Sequence, residues 1–131
     1  MDYQKLVDEA FVAREKAYCP YSHFAVGACV LLKNGQMIHG MNIENAAYGS
    51  SMCAERNAVY HAYCLGYNKD DIVGLAIVAD CIPLISPCGA CRQVLSELLY
   101  ENTPIILGNK EKYEITNMKE LMPRAFTGEV L

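Results

Sequence analysis

Apolar side chains recur at helical spacing from the start of the chain. Leu6, Val7, Ala10, Phe11 and Ala17, with Arg14 as the polar interruption, predict an opening amphipathic helix over residues 3–17. Cys19-Pro20-Tyr21-Ser22 breaks it. Two β-like runs follow, 26–32 and 36–43, joined by Lys33-Asn34-Gly35, whose Asn-Gly pair tolerates the positive φ of a tight hairpin. They should pair antiparallel. The pattern turns helical again over 54–65, with Gly66 as its stop, and then becomes a continuous apolar run over 72–79, the signature of a buried central strand. Cys91, Val94, Leu95, Leu98 and Leu99 share one stripe of a predicted helix over 88–100. Short strands are expected at 104–107 and 113–116, and a last short helix at 118–122 is stopped by Pro123. A helix, a hairpin and then alternating helices and strands predict an α/β fold: three α/β/α layers around a mixed sheet of about five strands.

Size and composition narrow the function. A chain of 131 residues without a Pro- or Ser-rich linker or an internal repeat reads as one domain over 1–131, large enough to bury roughly two thirds of its unfolded surface. Its net charge of −4, with no Lys/Arg cluster, offers little to a polyanion, so small molecules are better partners than nucleic acid. No apolar run approaches the roughly 18 residues of a membrane span. The start, MDYQKLVDEAF, lacks a signal-peptide core, and the seven cysteines are odd in number. The expectation is a soluble cytoplasmic protein with reduced thiols.

Those thiols carry the chemistry. With Ser86 as cap and Pro87 in the first helical position, Cys88 and Cys91 fall in the first turn of the third helix, three apart and on one side, where both sulfurs can grip one ion. Zinc needs a further ligand, and Cys53, opening the second helix after Ser50-Ser51, is the candidate. Two helix N-termini would then bring partial positive charge to the thiolates. Positions two apart on a regular helix point to nearly opposite sides, so Cys53 and Glu55 can face one site only if Cys53 is the cap, outside helical dihedrals. An isolated C-x-x-C is also compatible with a redox pair. A fourth sulfur, from Cys19, Cys29, Cys64 or Cys81, would close the shell into a structural site, but none has ligand spacing, and Cys29, Cys64 and Cys81 each read as a small buried hydrophobe. Three ligands leave a corner for an activated water, and Arg56, next to Glu55, can donate to the sulfurs and offset their charge.

The ordered set Tyr21-Ser22-His23-Phe24, Asn42-Ile43-Glu44-Asn45-Ala46-Ala47-Tyr48, Cys53-Ala54-Glu55-Arg56 and Ser86-Pro87-Cys88-Gly89-Ala90-Cys91-Arg92-Gln93 resembles the short, homotetrameric, zinc-dependent cytidine deaminases. The likeness continues into Leu121-Met122-Pro123-Arg124-Ala125-Phe126. It implies one zinc per subunit on Cys53, Cys88 and Cys91. It also implies hydrolysis of a cyclic amidine C–N bond: zinc-bound hydroxide attacks C4 of cytidine or 2′-deoxycytidine, with Glu55 as proton shuttle, releasing ammonia for pyrimidine salvage. In the same family pattern Asn42 and Glu44, alternating at a strand end, bind the ribose 3′-hydroxyl and Phe24 packs on the base. Ala54 and Cys88 offer main-chain hydrogen bonds, and Phe126 and Tyr48 reach a neighbouring subunit's site at the interfaces. Two features depart from the pattern: the stretch Gly49-Ser50-Ser51-Met52, and Asn57 in place of a threonine. Competing readings are a blasticidin S-type aminohydrolase, a strand-editing deaminase, disfavoured by the acidic surface, and a non-enzymatic zinc module with a fourth protein ligand.

Overall fold

The computed structural model describes residues 2–131. Five strands form one sheet in the order β2-β1-β3-β4-β5: β1 (Val26–Leu32), β2 (Met37–Met41), β3 (Ile72–Ala79), β4 (Ile105–Gly108) and β5 (Tyr113–Thr116). Only β3 and β4 are parallel neighbours, and the other pairs are antiparallel. The sheet is therefore mixed, as the interleaved pattern predicts. β3 is apolar throughout because both its faces are covered. Leu75, Ile77 and Ala79 pack with Ala58, Val59 and Ala62 of α2 (Ala54–Cys64) and Leu95 of α3 (Gly89–Leu98). Ala76 and Val78 face the other way, onto Leu6, Val7 and Ala10 of α1 (Tyr3–Arg14). One helix on one face and two on the other give the three layers.

Several boundaries differ from the sequence reading, each for a visible reason. α1 ends at Arg14 rather than residue 17; Lys16 and Ala17 make only i→i−3 bonds, and Tyr18 is drawn into strand-like pairing, donating to the Asn42 carbonyl at 2.9 Å and accepting from the Glu44 amide at 2.8 Å. The hairpin turns through Lys33-Asn34-Gly35, closed by the Leu32 amide donating to the Gln36 carbonyl, and only Gly35 has a positive φ, 91°. β2 covers Met37–Met41 rather than 36–43, so Asn42 and Glu44 lie just beyond it. α3 is capped by Cys88, at φ −68° and ψ 169°, not by Ser86. Cys88 is therefore outside the helix, and Ser86 instead accepts from Arg92. Met118–Leu121 forms the last helix, α4, capped by the Asn117 side chain.

Chain direction decides where the site falls. β2 and β3 are both antiparallel to β1, so they run parallel to each other, and α2 and α3 start from their carboxyl ends on the same face. In sheets of this kind ligands collect outside the carboxyl ends of parallel strands, where helix N-termini converge. α2 lies unusually close to β2: a side chain on Gly40 would meet the Ala58 nitrogen at 2.4 Å and the Ala54 oxygen at 2.6 Å. Asn57 donates its amide to the Met41 carbonyl at 2.9 Å, pinning the first turns of α2 to the end of β2.

Candidate active site

Cys53 caps α2 with extended dihedrals, φ −74° and ψ 154°, as the two-residue spacing to Glu55 requires. Cys88 does the same for α3, and Cys91 occupies the first turn of that helix. The three sulfurs lie within 4.8 Å of one another, with Cys53 3.9 Å from Cys88 and Cys88 3.4 Å from Cys91. Four ligands held tetrahedrally at about 2.3 Å from zinc are separated by about 3.8 Å, so the trio is close to the spacing that ion demands. Among the described residues no fourth Cys, His, Asp or Glu joins the cluster. Three soft sulfur donors suit zinc better than magnesium or calcium.

The surroundings fit an anionic metal–thiolate centre. Arg56 points Nη2 at the Cys53 sulfur, 3.8 Å away, while its Nε–H is buried with no hydrogen-bond partner. Burial, the largest single influence, discourages the guanidinium charge, but hydrogen bonding and charge attraction from Cys53 and Cys91 together outweigh it and keep Arg56 cationic. Hydrogen bonds from Cys91, Arg56 and Cys88 push the Cys53 thiol down to about 5, whereas the Cys91 thiol, donating to Cys53 and buried, is pushed up. The site thus favours negative charge on Cys53, beside Arg56, and a proton on Cys91, and a bound zinc would draw its cysteine ligands to the thiolate form.

Glu55 sits one residue into α2, only 4% exposed, with its Oε1 3.4 Å from the Cys91 sulfur. Burial pushes its carboxyl above the usual glutamate range, and negative charge on Cys53 pushes the same way. A carboxyl held near a metal centre and biased toward keeping a proton is equipped to take one and give it back.

A cavity of about 340 Å³ opens beside this centre, lined by Ser22, Phe24, Asn42, Glu44, Ala54 and Glu55 among others, with Cys53 and Cys88 in the same lining. The Asn42 side chain accepts from the Val26 amide at 2.9 Å and donates to the Phe24 carbonyl at 2.8 Å, joining the end of β2 to the start of β1. One oxygen of Glu44 accepts from the Tyr21 and Ser22 amides, each at 3.1 Å, and the other from the Ser22 hydroxyl. Those bonds, the Ser22 hydroxyl first, hold the Glu44 carboxyl below its ordinary range. Tyr48 and Phe126 do not line the cavity. Tyr48 is 75% exposed, edge-on to Tyr21, and Phe126 is 59% exposed, its carbonyl taking the Gln93 amide at 3.0 Å.

Arg92 is the residue whose part the sequence left unread. Its guanidinium donates to the Pro87 carbonyl at 2.8 Å, the Leu121 carbonyl at 2.7 Å and the Ser86 hydroxyl at 2.8 Å. It clamps the loop that delivers Cys88 against the C-terminal segment. Its place directly after Cys91 in the quoted motif was the available signal. The remaining cysteines stay outside the centre, and burial pushes the Cys29 thiol up to about 12, with Glu9 adding to it.

A thiolate trio at paired helix starts, with a buried carboxyl beside it, defines a zinc enzyme of hydrolytic type. Residues 1–106 match the cytidine and deoxycytidylate deaminase zinc-binding region, and the chain belongs to that family. It is 52% identical to the cytidine deaminase of Halalkalibacterium halodurans over 98% of this chain and 97% of that one, and 46% identical to that of Sporosarcina psychrophila over 100% and 96%. The crystal structure of cytidine deaminase from Burkholderia pseudomallei superimposes with a TM-score of 0.93 at 42% identity, covering 96% of this chain and 100% of that one. That of Mycobacterium tuberculosis gives 0.82 at 34%, covering 97% and 98%.

Proposed function

We propose that the protein hydrolyses cytidine and 2′-deoxycytidine to uridine and 2′-deoxyuridine, releasing ammonia, and that it serves pyrimidine salvage in the cytoplasm. The observation that carries the reading is the buried Glu55 carboxyl against the Cys91 sulfur of the Cys53, Cys88 and Cys91 cluster, with Glu55, Cys53 and Cys88 lining a cavity large enough for a nucleoside.

Cys53, Cys88 and Cys91 would hold zinc, which would supply Lewis-acid activation of the attacking water. Glu55 takes the proton from that water, delivers it to N3 of the ring, and protonates the departing amine at C4. Water provides the oxygen of the new carbonyl and two protons: one stays on N3 of the product, and the second, given up by the new C4 hydroxyl to Glu55, joins the two hydrogens already on the amine, so cytidine plus water becomes uridine plus ammonia. Phe24 packs on the pyrimidine. Asn42 and Glu44 take the 3′-hydroxyl, a contact that favours a nucleoside over free cytosine; the lowered carboxyl pKa of Glu44 supports this by keeping it an acceptor. Main-chain groups of Ala54 and Cys88 orient the base, and Arg56 offsets the thiolate charge.

The chain 1–131 is one catalytic domain in this reading. Four copies assemble with Tyr48 and Phe126 completing neighbouring sites; the exposure of both rings and their absence from their own chain's cavity support that role. Light scattering of the zinc-loaded protein should return the mass of four chains, and a monomer would remove the shared-site part of the reading.

The deciding experiment follows cytidine absorbance and ammonia for the native protein and Glu55→Gln, with zinc content measured in both. Loss of a general acid–base group costs about 10²–10⁴ in rate, so the variant should retain zinc and lose at least about 100-fold in kcat. A zinc-loaded native protein that leaves both nucleosides intact would overturn the function, and an active Glu55→Gln would overturn the shuttle.

A further inference from the structure

The segment joining α1 to β1 ties two parts of the cavity together through one hydroxyl. Ser22 Oγ donates to Glu44 Oε2 and accepts from the Phe24 amide at 3.0 Å. The amides of Tyr21 and Ser22 reach the other Glu44 oxygen. Between them His23 adopts φ 57°, a left-handed conformation uncommon for a residue with a β-carbon, while its amide donates back to the Cys19 carbonyl at 3.0 Å. The turn is thus wound around the Glu44 carboxylate. Asn42 closes the ring from the other side by donating to the Phe24 carbonyl at 2.8 Å. Phe24 is held at its amide by Ser22 and at its carbonyl by Asn42.

We infer that Ser22 is a positioning residue for nucleoside recognition: its hydroxyl sets the rotamer of Glu44 against the sugar, while Phe24 keeps its anchor on the Asn42 side chain when that hydroxyl is removed. A carboxylate with free rotation must be ordered by each substrate that binds, whereas one already held by three donors, two on Oε1 and one on Oε2, presents its remaining lone pair on Oε2 in place. Removal of the hydroxyl should therefore weaken capture of substrates that use Glu44 and spare those that do not. The inference rests on the proposed role of Glu44.

The test compares native protein, Ser22→Ala, Ser22→Thr, Glu44→Gln and the Ser22→Ala/Glu44→Gln pair on cytidine and on 2′,3′-dideoxycytidine, which lacks the 2′- and 3′-hydroxyls, with zinc content and thermal midpoint measured for each. A hydrogen bond to a charged group is worth about a factor of ten or more. Ser22→Ala should raise KM for cytidine about tenfold with kcat within about twofold, change kcat/KM for the dideoxynucleoside less than about twofold, and add little in the Glu44→Gln background. Ser22→Thr, which keeps the hydroxyl, should restore KM to within about threefold of native. An unchanged KM for Ser22→Ala, an equal loss on both nucleosides, or a threonine variant as impaired as the alanine one overturns the inference while leaving the deaminase reading standing. Absence of native turnover on cytidine overturns both.

Discussion

Cys53 and Glu55 are two residues apart, and their convergence on one centre depends on a single backbone fact: the cysteine has not yet entered the helix. With φ −74° and ψ 154° it turns its sulfur toward Cys88, while Glu55, within the first turn, reaches the Cys91 sulfur. That much was legible, because a regular helix would separate the two side chains. The partner of Glu44 was not. Nothing in the spacing from Ser22 to Glu44 indicates that one caps the other, since the contact forms only when the α1–β1 connection folds over the end of β2. Its consequence is a pH dependence. The Glu44 carboxyl is lowered in the folded protein, so its contribution to stability is full above the unfolded glutamate value, about 4.3, and is lost as pH falls through the folded value. Urea unfolding followed from neutral pH down past that point should show native protein losing stability more steeply than Glu44→Gln. Parallel profiles would mean that Glu44 is held no more tightly than a free glutamate.

At the scale of elements, α2 carries both a metal ligand and the shuttle, and its seat against β2 sets where they stand. The seat is a close approach at Gly40, reinforced by Asn57 on the Met41 carbonyl and by His61 Nδ1, 3.3 Å from the His39 carbonyl. These α2 side chains also cover backbone acceptors on β2, the edge strand of the sheet, which would otherwise be open to pairing with another chain. Asn57, an apparent departure from the family pattern, thus has a local structural role. Gly40→Ala would drive a methyl group into the α2 backbone, and overpacking of this kind costs about 1–3 kcal/mol. A lower urea midpoint should come with reduced kcat and zinc content, since α2 cannot retreat without taking Cys53 and Glu55 with it. A variant as stable and as active as native would show that the approach has slack. Element identities followed from apolar periodicity, and every strand and helix of the expected order is present. The boundaries that moved did so where tertiary hydrogen bonds compete with local preference: pairing of Tyr18 with Asn42 and Glu44 ends α1 short of residue 17, and Ser86 is engaged by Arg92 while Cys88 takes the cap.

Across the whole molecule, the metal should act as a staple between α2 and α3, which otherwise meet chiefly through the apolar face they share over the sheet. Zinc that binds the folded chain alone stabilises it by about 4 kcal/mol when free metal stands 1,000-fold above its Kd. Chelation should lower the thermal midpoint and abolish turnover, with both restored by one equivalent of zinc per chain; an unchanged midpoint would mean that the helices are held without it. The sequence by itself determined the alternation of elements, the apolar character of β3 and the chemistry of the ligands, because these depend on residue type and near-neighbour spacing along one chain. Only the tertiary structure decided that Arg92 clamps the Cys88 loop, that Ser22 holds Glu44, and that Tyr48 and Phe126 stand clear of their own cavity. Those outcomes are set by how β2 and β3, parallel but separated by β1, aim their following helices and loops at one end of the sheet. That direction is a property of strand order, which no local pattern encodes.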